Sequence, residues 1–207
     1  VWRAAFKPLV DRIADTDIRL QWFCCDRSTG VTDASGKRVT LIRDTKYPVS
    51  VEYQTVKFIG TGRDNIKAGV FSGWELGDYI YLRSEEAYMI KMEALAHKGS
   101  ADAITELNSF MKTRQPDYNY TFTNKADLIE EIIYQKRVEF WGEGLEYIDN
   151  RRLNIPVDRT DETWGAENNN HFSAGKFRYN QEERPFLYQL PLSEIENNSQ
   201  LSPTDQN

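Results

Sequence analysis

Cysteine and histidine are scarce in this chain, with two of each in 207 residues. Cys24 and Cys25 are adjacent in a stretch that reads as a strand. Neighbouring strand side chains point to opposite faces, so a mutual disulfide would need severe local distortion, and both are read as reduced packing residues. His97 and His171 stand apart with no ligand spacing around them, so no metal centre is expected. No phosphate loop or nucleophile motif is present, and neither a cofactor nor a catalytic residue is expected. No run of about 18 apolar residues occurs, so no segment reads as a bilayer-spanning helix. The 26 basic and 32 acidic residues are mixed along the chain, with a net charge of -6. Without a basic stripe or polybasic cluster, nucleic acid and an anionic membrane surface are poor partners. The chain starts at Val1 with no basic and apolar leader, so any targeting signal is expected upstream.

What is present points to a folded protein: 40% hydrophobic and 13% aromatic residues in a chain long enough to bury a core. Residues 2–14, WRAAFKPLVDRIA, carry an apolar helical rhythm, with Pro8 at a break or a first turn. Residues 18–25, IRLQWFCC, read as a strand, in a hairpin closed by RVTLIR at 38–43. Residues 50–60 add an extended segment, and the glycine-rich stretch 60–77 reads as a loop.

From Asp78 the pattern is helical. Leu82, Glu86, Met89, Glu93 and Ala96 share one face at spacings of four and three. Gly99 is the expected stop, Ser100 caps a second helix running toward Pro116, and the two form a pair of tetratricopeptide size. A third helix opens at Asn124, with Asp127 three residues on as in a capping box. It is expected to continue through Phe140, Trp141, Leu145 and Ile148, with Arg137 on its apolar face. After Pro156 the chain is irregular until PFLYQLPLSEI, read as an extended segment and a final turn.

Charge on these apolar faces has two readings. Buried charges cost several kcal/mol each unless paired, so Arg137 is expected to contact Glu86 or Glu93 as a structural ion pair. Gly142 and Gly144 are then expected to let another segment approach the helix closely. The alternative is chemistry: Glu139 and Glu143, four residues apart, could serve as the acid and base of a glycoside hydrolase. Any acidic helix offers that spacing.

Three stretches, in this order, resemble one family. YLRSEEAYMIKMEALAHKG, then IIYQKRVEFWGEGLEYIDNRR, then FLYQLPLSEIENNSQL with a closing QN are similar to the C-terminal half of SusD/RagB proteins. The resemblance is clear from about Asp78 to Asn207. It departs at Glu146, where an arginine is usual, and at Glu85, where an alanine is usual; both changes are expected on exposed faces. It implies a mostly α fold of tetratricopeptide-like helix pairs with irregular loops and short strands. The expected organisation is one C-terminal region over 1–207, with a variable, ligand-facing part at 1–77, a helical scaffold at 78–207, and the N-terminal half outside this chain. The implied role is non-enzymatic: capture of extracellular glycan or peptide by a lipid-anchored outer-membrane protein of Bacteroidetes, and delivery to a SusC-like, TonB-dependent transporter. The anchor itself would lie upstream.

Sugar capture needs flat aromatic faces with amides, carboxylates and arginines around them. Loop 60–77 offers Phe71 and Trp74 beside Arg63, Asp64 and Asn65, and is the preferred ligand-facing segment. Residues 161–172 add Trp164 with Asn168, Asn169 and His171. Each aromatic also has a plain packing role open to it, and Trp141 is expected in the core. A helical-repeat adaptor for protein partners is a further alternative.

Overall fold

The computed structural model describes residues 5–24, 53–55, 57, 81–183 and 189–205. The fold is mostly helical with a few two-residue strands. Its chain divides into two compact units, Val1–Glu143 and Gly144–Asn207.

The first unit opens with α1 (Lys7–Asp11), which starts where Pro8 needs no amide partner. Residues Ile18–Trp22 form a 3-10 turn rather than the expected strand. The cause is local: Asp17 accepts a hydrogen bond from the Arg19 amide, and this Asx contact holds the chain in a turn. Among the described residues of that stretch only Phe23–Cys24 is extended, as β1, and its antiparallel partner is β2 (Gln54–Thr55). The predicted closing strand 38–43 and loop 60–77 lie outside the described residues, as do Trp2 and Cys25. One core cluster joins Val10 and Ile13 to Leu20, Phe23, Tyr134 and Val138. Trp22 and Trp141 pack against it, and Trp141 meets the Phe23 ring edge-on at 5.7 Å.

Three long helices follow among the described residues of this unit. α2 (Ser84–Lys98) stops at Gly99, whose φ of 72° is the left-handed C-terminal conformation that glycine adopts freely. The Ser100 hydroxyl accepts from the Asp102 amide, and α3 (Asp102–Lys112) follows. Met89, Met92 and Ala96 of α2 and Ala103, Leu107 and Met111 of α3 are buried, and the two helices pack as the expected pair. Leu82, assigned to that buried stripe, precedes α2 and is exposed.

α4 (Lys125–Glu139) is capped by Asn124, whose side chain accepts from the Asp127 amide. It packs against α2, and from Glu131 to Glu139 only Arg137 is not buried. The helix does not run on to Ile148. It ends at Phe140, because Gly142 (φ 78°) and Gly144 (φ 88°) take left-handed conformations that no helix interior accommodates. A Cβ on Gly144 would meet nothing within 4 Å, so its role there is backbone geometry, not the expected close approach.

The second unit holds α5 (Leu145–Arg152), β3 (Val157–Asp158), α6 (Asp161–Trp164), β4 (Arg178–Tyr179) and α7 (Leu192–Asn197). β3 and β4 pair antiparallel, Val157 opposite Tyr179. Ile148, expected on a buried stripe, is exposed on α5.

Candidate functional site

The charged residues around the glycine turn form a buried cluster built from distant segments. Glu139, 1% exposed at the end of α4, receives three guanidinium groups. Arg83 Nη1 lies 3.0 Å and Arg114 Nη2 3.2 Å from its Oε1, and Arg19 Nη1 lies 3.4 Å from its Oε2. Glu143, in the turn, takes a two-pronged contact from Arg83, at 3.0 Å from Nε and 2.9 Å from Nη2. Lys57 Nζ lies 2.6 Å from Glu143 Oε1 and also donates to the backbone oxygens of Glu139 and Trp141. Arg83 Nη2 also donates to the Glu139 backbone oxygen, at 2.8 Å, so two cations meet the negative end of α4.

Arg19 is held on its other side by Asp17, at 2.7 Å, and by the Gln135 side chain. Burial alone would raise the Glu139 carboxyl. The hydrogen bond from Arg114 and the positive charges of Arg19 and Arg114, with the bond from Arg83, outweigh it and hold the group below the usual carboxylate range. An acid kept ionised and saturated with arginine is poorly placed to donate a proton. Of the suggested carboxylate pair, therefore, both members serve as anchors for Arg83.

Glu93 is buried on α2 as expected, with Lys136 Nζ 4.0 Å from one carboxylate oxygen and His97 Nε2 3.7 Å from the other. Glu86 and Arg137 are half-buried, and the pairing of Arg137 with Glu86 or Glu93 stays an expectation. Arg19, Arg83 and Arg114, which carry the cluster, were not singled out in the sequence. Arg83 had a visible signal, since it immediately precedes the acidic first turn of α2; Arg19 sat in a stretch read as a strand. Glu146 is exposed as expected, whereas Glu85 is half-buried and meets Arg114 at 3.3 Å.

In the second unit, the segment bearing Trp164 is organised around Asp158. Its carboxylate accepts from the Thr160 amide and hydroxyl, from Thr163 and from Arg178. Burial would raise this carboxyl, but those hydrogen bonds and the Arg178 charge bring it down to about 2. Trp164 Nε1 donates to the Asp158 backbone oxygen at 2.9 Å, which fixes the indole while leaving the residue 37% exposed. Asn169 is buried, bonding Arg159 O and Asp161, and so supports the segment. His171 is held below the usual imidazole range by burial first and then by Arg159 and Lys176. Arg63, Asp64, Asn65, Phe71 and Trp74 lie outside the described residues. Among the described residues, no group of three or more His, Cys, Asp or Glu could hold a metal ion, and no helix is long and apolar enough to cross a membrane.

The described residues thus combine a helix pair, a buried arginine–glutamate cluster at a glycine turn and, in the second unit, an anchored, half-exposed tryptophan. A model of the SusD family matches residues 13–207, and the chain belongs to that family. It is also similar to a solved SusD-like carbohydrate binding protein from Bacteroides vulgatus ATCC 8482, at 26% identity and a TM-score of 0.48. That similarity covers 62% of this chain, which spans 30% of the length of its counterpart. No curated protein matches this sequence.

Proposed function

We propose that this protein captures extracellular glycan at the outer-membrane surface without cutting it, and delivers it to a SusC-like, TonB-dependent transporter. The observation that carries the reading is membership of the SusD family over residues 13–207. The solved relative is itself described as carbohydrate binding. Trp164 supports the same role: its indole is tethered through its nitrogen and the residue is 37% exposed, which suits an aromatic platform for a pyranose at little entropic cost. Arg63, Asp64, Asn65, Phe71 and Trp74 would supply a second ligand-facing segment. Membrane attachment is through lipid on an upstream cysteine, as the family resemblance implies. The ion-paired state of Glu139 and Glu143 supports capture in place of hydrolysis.

The test is electrophoretic retardation of the protein in gels containing a panel of polysaccharides, with Trp164→Ala and Trp74→Ala alongside and the solutions assayed for released sugar. Retardation without release, weakened by either substitution, is expected. Released sugar would overturn the non-enzymatic reading, and retention by no polysaccharide would overturn glycan capture in favour of peptide.

A further inference from the structure

The second unit carries a cation that its own carboxylates leave unbalanced. β3 and β4 form a two-stranded ribbon, and the Arg159 amide extends its ladder by donating to Phe177 O at 2.8 Å. Side chains alternate along a strand, so Val157 and Arg159 share one face with Phe177 and Tyr179, while Asp158 and Arg178 share the other. On that second face Arg178 Nη1 pairs with Asp158 at 2.8 Å, and Lys176 Nζ, from the residue before Phe177, pairs with Asp161 at 2.7 Å. Arg159 has no such match. Its guanidinium carbon lies 5.0 Å from the centre of the Phe177 ring, and among the described residues no carboxylate comes within ion-pair distance of it. Phe177 and Tyr179 in turn meet with ring centres 4.9 Å apart.

Arg159 is half-buried, yet none of its nitrogens is among the sealed, unpartnered polar atoms of the described residues, so its donors open to solvent. The aromatic ring against it favours a planar guanidinium over a lysine ammonium and limits its motion. Its charge is felt nearby: after burial, Arg159 and then Lys176 disfavour the imidazolium of His171. The neighbourhood is therefore positive, although the protein as a whole carries a net charge of -6. Phe172, next to His171 in the chain, lies over buried Gly175, where a Cβ would come within 3.3 Å of its ring, and is still 76% exposed. An oriented fork of donors without an internal acceptor and a braced, exposed aromatic ring thus belong to the same small unit.

We propose that the second unit binds the anionic substituent of an acidic glycan, the carboxylate of a uronic acid or a sulfate ester, with the Arg159 guanidinium as its donor and the Phe172 ring as an apolar surface for the sugar. The guanidinium fork can meet two oxygens of one oxyanion at once, and a charge-assisted pair of this kind is stronger than a bond to a neutral hydroxyl. That a glycan carries the anion rests on the capture reading above; the unbalanced guanidinium and its ring setting do not.

The test is gel retardation of the whole chain by polygalacturonate and alginate, whose charges are carboxylates, and by dextran sulfate, whose charges are sulfates, beside neutral pullulan and xyloglucan. At least one acidic polymer is expected to retain the protein more strongly than either neutral one, and the arm that responds tells carboxylate from sulfate. Arg159→Gln weakens that binding by about ten- to hundredfold, the effect of hydrogen bonds to a charged group. Arg159→Lys keeps the charge without the fork and weakens it less. Lys91→Gln, which removes an exposed positive charge from α2, leaves it unchanged. Circular dichroism checks the fold of each variant, and if Arg159→Gln does not fold, Arg159→Lys decides. Acidic binding that survives the Arg159 substitutions, or that Lys91→Gln weakens equally, overturns the proposal and leaves glycan capture standing. So does retention by the neutral polymers that equals or exceeds retention by the acidic ones. If no polymer retains the protein, both readings fall.

Discussion

Arg19 Nη1 lies 3.4 Å from Glu139 Oε2, with both side chains all but sealed from water and 120 positions between them in the chain. Arg83 and Arg114 share the same carboxylate. Glu139→Gln keeps the shape and removes the charge, leaving three guanidinium groups around a neutral amide. The expected loss is about 3–5 kcal/mol, the cost of orphaning buried charge. It is read from the urea midpoint of the first unit by circular dichroism. A change within about 0.5 kcal/mol, typical of a surface site, would show that the cluster does not hold the fold.

Arg83 and Glu143 form a bidentate pair, with one end in the residue before α2 and the other in the glycine turn. A double-mutant cycle on Arg83→Ala and Glu143→Ala is expected to show a coupling of about 1–3 kcal/mol. Additive losses would mean that each residue acts through its other neighbours, Glu139 and Lys57.

Gly144→Ala is expected to cost about 1–2 kcal/mol, the penalty of a left-handed conformation for a side chain that meets no obstacle. Gly144→Asn costs less, because asparagine tolerates that conformation. Equal losses for both in thermal melts would point to a steric requirement instead.

The Asp158 carboxyl has a folded value of about 2, below the ordinary value of about 3.9. Its stabilising contribution is therefore complete above the ordinary value and is lost as pH falls through about 2. Hydrogen exchange at the Thr160 amide, which Asp158 accepts, should stay protected at pH 4 and open toward pH 2 once the intrinsic rate is accounted for. Asp158→Asn should abolish that pH dependence. Loss of protection already at pH 4 in the native protein would contradict the depressed value.

Local signals in the sequence were readable where one residue type decides the outcome. The Gly99 stop, the Asn124 cap and the α2–α3 pair follow from backbone chemistry within a few positions. Ile18–Trp22 was misread because its apolar content suits a strand, while Asp17, one residue earlier, closes a turn. The apolar rhythm through Phe140, Trp141, Leu145 and Ile148 concealed two glycines whose positive φ ends the helix. At the candidate site, the importance of Glu139 was legible as charge on an apolar helix. Its partners were not, because Arg19, Arg83 and Arg114 come from separate segments that only the fold brings together.

The end of α4 is completed by residues that arrive from far along the chain. Lys57 closes 82 positions to the Glu139 carbonyl, Arg83 closes 56 and Arg114 closes 25 to its carboxylate, and Arg19 closes 120. Such contacts give nothing back until long loops have been drawn in, so they slow folding relative to a simple helical bundle. Glu139 stays a solvated acid in any partly assembled chain and becomes a buried anion only when its ligands converge. The cluster therefore adds to a helical unit a set of long-range contacts, and with them a loop-closure cost that local helix pairing does not carry.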